Sequence, residues 1–214
     1  MQIYWHGYSS VRLEIKQGEH NTVVMTDPYE NESAMRFPRA IEPEILLLSH
    51  QDRSKFNVEG VAGKPFIISD PGEYEVGGVF VNGIQDGEQG EGAERPLVYR
   101  IEGEEMAVAY LGMINRSLTD KELEALGNVD ILILPVGNAQ TYNAKQVAAT
   151  ISLIEPRLVI PINFAVPGIK TELGTVDQFC NALGSSKRQD ANRVKISKKE
   201  LPVDDMLIMV LERT

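Results

Sequence analysis

Cysteine is almost missing from this chain: Cys180 is the only one in 214 residues. That excludes an internal disulfide framework and any zinc knuckle built on thiolates. Histidine is nearly as scarce, with only His6, His20 and His50. No apolar run approaches the roughly 18 residues of a membrane-crossing helix. No basic start followed by an apolar stretch opens the sequence, so no secretory leader is expected either. Positive charge is in deficit, 21 Lys and Arg against 31 Asp and Glu, for a net charge of −10. A phosphate backbone draws in basic surfaces through counterion release, so nucleic acid is not expected as a partner. The one basic stretch, Lys187, Arg188, Arg193, Lys195, Lys198 and Lys199, is broken by Asp190 and Glu200 and holds no aromatic residue. It reads as solvated, mobile surface. What remains is an acidic chain, 43% hydrophobic and able to build a packed core. A single domain over residues 1–214 is expected, cytoplasmic and without a membrane partner.

The first half reads as strands. Tyr4-Trp5 and the alternating Val11, Leu13 and Ile15 predict a hairpin turned at Gly7-Tyr8-Ser9. Thr22 to Thr26 follows, closed by Asp27-Pro28 because proline cannot continue a ladder. Ile45 to Leu48 and Phe66 to Ile68 are short apolar runs, the pattern of strands buried on both faces. Residues 30–43 read as irregular, and Asn57 to Ala62 as a single helical turn. Tyr74–Val76 and Val79–Val81 are further strands, and Asn82 to Gly92 reads as an exposed loop. Leu97–Ile101 and Met106–Leu111 predict a hairpin around Gly103.

After Gly112 the pattern turns helical. Thr119 with Glu122 three residues on forms a capping box, and Gly127 closes that helix. Helices are also predicted over Asn143–Glu155 and Thr175–Leu183, the latter carrying Cys180 on its apolar face as core. Between and after them, Ile131–Leu134, Leu158–Ile162 and Met206–Leu211 read as strands. Strands followed by helices and buried strands predict a layered α/β or α+β sandwich.

At Ile45-Leu46-Leu47-Leu48-Ser49-His50 the sequence resembles the metallo-β-lactamase superfamily. It is most similar to the small zinc-dependent hydrolase-like branch related to ascorbate-6-phosphate lactonase. Trp5-His6-Gly7-Tyr8-Ser9, Thr26-Asp27-Pro28-Tyr29, Gly72-Glu73-Tyr74-Glu75-Val76, Tyr110-Leu111-Gly112 with Leu118-Thr119-Asp120, Asp130–Gly137 and Pro156–Asn163 carry the resemblance in order. It implies an αββα four-layer sandwich, with a metal site at one edge on loops that follow the strands.

The resemblance also implies a ligand motif, Ser-His-x-His-x-Asp-His, that holds one or two zinc ions and activates a water. Here the run is Ser49-His50-Gln51-Asp52-Arg53-Ser54-Lys55. His50 keeps the first histidine. Asp52 stands at the second, Ser54 at the aspartate, and Lys55 puts a cation at the third. Gly83-Ile84 runs into Gln85-Asp86 with no histidine. Met113 occupies the position of the bridging aspartate and Asn163 that of the last histidine. With three histidines in all, a dinuclear set cannot be assembled.

Two readings follow. In the first, the chain is a hydrolase-like protein with a degenerate metal site, non-catalytic, kept to bind a small-molecule ligand or a protein partner, and with no metal expected. In the second, it is a hydrolase of a small phosphorylated or lactone-like substrate, with zinc or another divalent cation in a mononuclear site around His50 and Asp52. The candidate site residues are His50, Asp52, Lys55, His6, Asp27, Asp86, Met113 and Asn163. A Ser54-Lys55 nucleophile pair is a weaker alternative, and a structural role in a homo-oligomer is a third.

Overall fold

A computed structural model describes residues 1–32, 35–86, 96–138, 140, 142–184 and 187–214. Two sheets carry the chain. The first has six strands in the order β13-β1-β2-β3-β4-β5. These are β1 (Gln2–Gly7), β2 (Ser10–Gln17), β3 (His20–Thr26), β4 (Ile45–Leu47), β5 (Phe66–Ile68) and β13 (Val194–Lys195). The second has eight, in the order β12-β14-β11-β10-β9-β8-β7-β6. They are β6 (Gly72–Val76), β7 (Val79–Ile84), β8 (Val98–Gly103), β9 (Met106–Tyr110), β10 (Ile131–Pro135), β11 (Leu158–Ile162), β12 (Lys187–Ala191) and β14 (Leu207–Leu211).

The sheets face each other because their inward residues are apolar at every second position. Ile3, Trp5, Val11, Leu13 and Ile15 from the first sheet join Val81, Ile101, Val108, Ile131 and Ile133 in one core. Two tyrosines from the second sheet reach across to backbone of the first. The Tyr99 hydroxyl lies 2.6 Å from Leu48 O and 2.9 Å from Ile68 O, and that of Tyr110 lies 2.5 Å from Ser9 O. A buried tyrosine needs such a partner for its hydroxyl.

Three helices start with capping boxes at the residues read for them. α1 (Asp120–Leu126) is capped by Thr119 and Glu122, α2 (Ala144–Ile154) by Asn143 and Gln146, and α3 (Val176–Leu183) by Thr175 and Gln178. α1 packs beside β7 and β8. α2 makes the crossover between the parallel strands β10 and β11, and its Val147, Ile151 and Ile154 join the main core. On the outer face of the first sheet, Met25, Leu46 and Leu48 meet Phe37 and Phe56 in a second, smaller core. The cover there is the irregular segment after β3 and two 3-10 turns, Arg53–Lys55 and Val58–Gly60. The architecture is an αββα sandwich. No helix among the described residues is long and apolar enough to cross a membrane.

Three details depart from the sequence reading. Phe66–Ile68 is a strand, but it forms the edge of its sheet and Phe66 is half exposed, so it is not buried on both faces. β7 runs on to Ile84, so Asn82–Ile84 is not loop; residues 87–92 of the expected loop lie outside the described residues. The basic stretch after Gly184 forms strands. β12 pairs in parallel with β14, β13 pairs with β1, and Lys198 closes on Asp130 at 2.7 Å. Arg188, Gln189 and Asp190 of β12 are exposed, as an edge strand allows.

Candidate functional site

β3, β4 and β5 run parallel in one sheet, and β9, β10 and β11 run parallel in the other. Ligands in sheets with parallel strands gather outside the carboxyl ends of those strands. Here those ends carry Asp27 after β3, Ser49-His50 after β4, Gly112-Met113 after β9 and Asn163 after β11. Between them lies a cleft of about 220 Å³. Four sequence candidates line it, Asp27, Lys55, Met113 and Asn163, together with Tyr8, Tyr29, Glu32 and Thr171.

Its floor is a buried polar knot. Asp27 accepts from Ser49 N at 2.7 Å and Ser49 Oγ at 2.6 Å, and its Oδ2 lies 2.7 Å from the Tyr110 hydroxyl. Ser49 Oγ in turn accepts from Met113 N at 3.1 Å. Burial pushes the Asp27 carboxyl up to about 6, and the hydrogen bonds from Ser49 and Tyr110 hold it from rising further. The same burial drives the Tyr110 hydroxyl well above the usual tyrosine range.

Backbone strain also collects at the cleft. Tyr8, Asp27 and Asn163 all have left-handed φ, 47°, 39° and 52°, a conformation that persists only when the surroundings impose it. Gly112 turns the chain at φ 53°, and a Cβ there would sit 2.2 Å from Ser49 Cβ. Gly112→Ala is therefore expected to lower stability by about 2–4 kcal/mol, combining a left-handed penalty with overpacking. Urea unfolding checks this, and a loss confined to a few tenths would show that the turn yields freely.

The ligand set implied by the resemblance does not fit a metal ion in this arrangement. His50 Nδ1 accepts from Asp52 N at 2.9 Å, and its Nε2 lies 3.2 Å from Lys55 Nζ. Both ring nitrogens thus face protein groups, one of them a cation. Asp52 Oδ1 accepts from Ser54 N at 3.0 Å and from Ser54 Oγ at 2.6 Å, capping the 3-10 turn. Those bonds hold its carboxyl below the usual range. Ser54 and Lys55 therefore engage Asp52 and His50 respectively and do not form a nucleophile–base pair. Met113 and Asn163 offer a thioether and an amide. Among the described residues, no three His, Cys, Asp or Glu side chains are grouped so as to hold a metal ion.

Two candidates lie elsewhere. His6 is buried with its Nδ1 3.0 Å from Thr214 O, and it does not line the cleft. The β1 ladder shifts register between Trp5 and Gly7, and Trp5 bridges to Arg213, which turns the ring toward the last residues. Its Nε2 is buried with no hydrogen-bond partner among the described residues. Burial lowers its pKa to about 4. Asp86 lines a separate hollow with Lys121 and Glu122. It follows β7, which stands two strands away from β9 in the sheet, an offset of about 10 Å at normal strand spacing. A larger hollow of about 620 Å³ lies around the β8–β9 turn, at the opposite end of β9. Of the charges around it, Lys198 pairs with Asp130 and Arg100 with Glu102.

The sequence reading missed Tyr8, Tyr29, Glu32 and Thr171 as cleft residues. They come from turns and irregular segments, and only Tyr8, inside the Trp5–Ser9 turn, and Tyr29, in the Thr26–Tyr29 run, carried a signal that could have marked them.

The beta-lactamase superfamily domain is matched over residues 2–163. The chain is 25% identical over 198 residues to a protein of Methanopyrus kandleri named a metal-dependent hydrolase, covering 77% of this chain and 84% of that relative. Among solved structures it is similar to a candidate Zn-dependent hydrolase of the metallo-β-lactamase superfamily from Thermotoga maritima, with TM-score 0.79, 25% identity and 99% of both chains covered. A metallo hydrolase of Ignicoccus hospitalis shares the fold at TM-score 0.63 and 14% identity, over 86% of this chain and 90% of that one.

Proposed function

This chain belongs to the beta-lactamase superfamily, and from that premise we propose that its cleft binds a small molecule without a metal ion and without hydrolysing it. The observation that carries this reading is Lys55 Nζ at 3.2 Å from His50 Nε2. The one histidine kept from the family motif has an ammonium group beside the nitrogen that would face a metal. Coulomb repulsion between that ammonium and a dication at contact distance disfavours loading. Asp27 spends both its oxygens on Ser49 and Tyr110, and Asp52 spends Oδ1 on Ser54. The hydrolase-like fold is retained, and the cleft at the carboxyl ends of the strands is retained with it.

The competing reading is a metal-dependent hydrolase with a reduced site around His50, and the name of the Methanopyrus relative favours it. It requires Lys55 to leave His50, with Asp52 offering Oδ2 while Oδ1 holds Ser54. Elemental analysis of untagged protein separates the two. The expected result is zinc, manganese and iron all far below one per chain, with no rise in Tm on zinc titration. A ligand that binds only the folded state raises Tm by mass action, so one equivalent of metal with a rising Tm would sink the metal-free reading.

A further inference from the structure

We propose that the open edge of the second sheet, strand β6, takes up an extended segment of another protein in which basic and apolar residues alternate. The segment adds as an antiparallel strand, the more stable ladder per residue.

The backbone of β6 is prepared for it. β6 ends its sheet, with β7 on one side and no strand on the other among the described residues. The two strands pair from Val76 with Val79 to Gly72 with Gly83, around the two-residue turn Gly77-Gly78. Both turn glycines have positive φ, 58° and 77°, as a tight hairpin turn requires. The pair that flanks such a turn exchanges hydrogen bonds, and pairs further along alternate between bonded and unbonded. Val76, Tyr74 and Gly72 therefore spend their N–H and C=O groups on β7. Glu73 and Glu75 turn theirs away from the sheet. An edge with donors and acceptors aimed outward in this way is a template for an added strand.

The side chains select its sequence. Glu73 and Glu75 are exposed, and neither has an ion-pair or hydrogen-bond partner among the described residues. They share the outer face of the sheet with their β7 neighbours Asn82 and Phe80, and Phe80 is 54% exposed. Residues opposite them on an added strand lie on that same face, where opposite charges stabilise and like charges repel. Tyr74, between the two glutamates, faces the other way, beside buried Val81. Its ring lies 6.2 Å from that of half-exposed Phe66 on β5, the edge of the first sheet. An apolar residue between two basic ones would cover this aromatic step at the side of the sandwich.

The same charges disfavour a second copy of this chain. Pairing two β6 strands about a two-fold axis through their free groups sets glutamate opposite glutamate in each register. β12, the opposite edge of the sheet, fits no better. Its Arg188 and Asp190 fall on one face, so one glutamate would meet Asp190, and Arg188 is already bound to Asp177 and Asp190.

The probe is the peptide acetyl-Lys-Val-Lys-Val-Lys-Val-Lys-amide, titrated by calorimetry into the full chain. A net charge of −10 attracts any lysine-rich peptide, so two controls carry the same charge. One gathers its lysines at one end, and the other is N-methylated at every lysine, which removes the ladder donors. The alternating peptide is expected to bind at least tenfold more tightly than either. The double variant Glu73→Gln with Glu75→Gln should lose that advantage while keeping the melting temperature, since both side chains are exposed. Hydrogen exchange by NMR should slow at the amides of Glu73 and Glu75 when the peptide binds. Equal affinity for the three peptides, unchanged binding by the double variant, or unchanged exchange at both amides would each overturn the proposal. Sedimentation showing a dimer without peptide, with those two amides already protected, would give the edge to a second copy and overturn it as well.

Discussion

Asp27→Ala is expected to lower the unfolding free energy by about 3–5 kcal/mol and the melting temperature by roughly 10 °C. Three donors converge on this carboxylate, Ser49 N, Ser49 Oγ and the Tyr110 hydroxyl. All of them are buried, and removing the acceptor leaves each to find another. Tyr110 has one within reach, Ser9 O at 2.5 Å, but Ser49 N has none so close. Alanine also tolerates the φ of 39° at this position poorly. Asp27→Asn separates these effects. Asparagine accepts the left-handed conformation, keeps an acceptor for Ser49 N and removes a charge whose burial is unfavourable. It should lose much less. Urea unfolding of both variants is the measurement, and equal losses would show that charge, not hydrogen bonding, ties the knot together.

The dependence of stability on pH should be nearly flat between pH 6 and 4 as far as His6 and Asp27 are concerned, because the two oppose each other. His6 is held to about 4 by burial, against 6.5 when unfolded. In that window the unfolded chain takes up a proton that the folded chain refuses. Its contribution is full above pH 6.5 and is lost as pH falls toward 4, about 3 kcal/mol in all. Asp27 is raised to about 6 from 3.8. Between those values the folded chain holds a proton that the unfolded chain releases, so stability rises on acidification by about 3 kcal/mol. Single variants expose each half. His6→Gln should grow more stable from pH 6.5 to 4, and Asp27→Asn should grow less stable over the same range. If both variants show the slope of the unmodified protein, neither residue is held at the shifted value.

Much of the fold was legible because local chemistry agreed with it. The capping box at Thr119, the Gly127 stop and the alternation through Val11, Leu13 and Ile15 are signals that packing had no reason to override. β12 was not legible. Lys187 to Ala191 has no apolar period, and its pairing with β14 is set by backbone alone. The cleft was half legible. Asp27, Met113 and Asn163 stand just past strand ends, and Lys55 in the turn after β4, all in or beside runs that carried the resemblance, and the structure brings them together. Glu32, Tyr29 and Thr171 come from irregular chain whose path depends on what it packs against. His6 and Asp86 sit close to candidate positions along the chain, but a register shift and a two-strand offset take them away.

The last strands have a consequence for how the molecule comes together in time. Gln2 pairs with Lys195, and β11, at the heart of the second sheet, waits for Leu207 and Ile208 on its outer side. A strand at residues 2–7 is thus flanked on one side by one at residues 194–195. Closing such distant pairs costs loop entropy before any contact repays it. Each sheet stays open at an edge until residues 187–214 arrive, with β1 and β11 bare and prone to stray pairing in the meantime. The protein should therefore fold slowly and late, its acquisition of structure governed by the arrival of residues 187–214 and not by the earlier stretch that defines its ancestry.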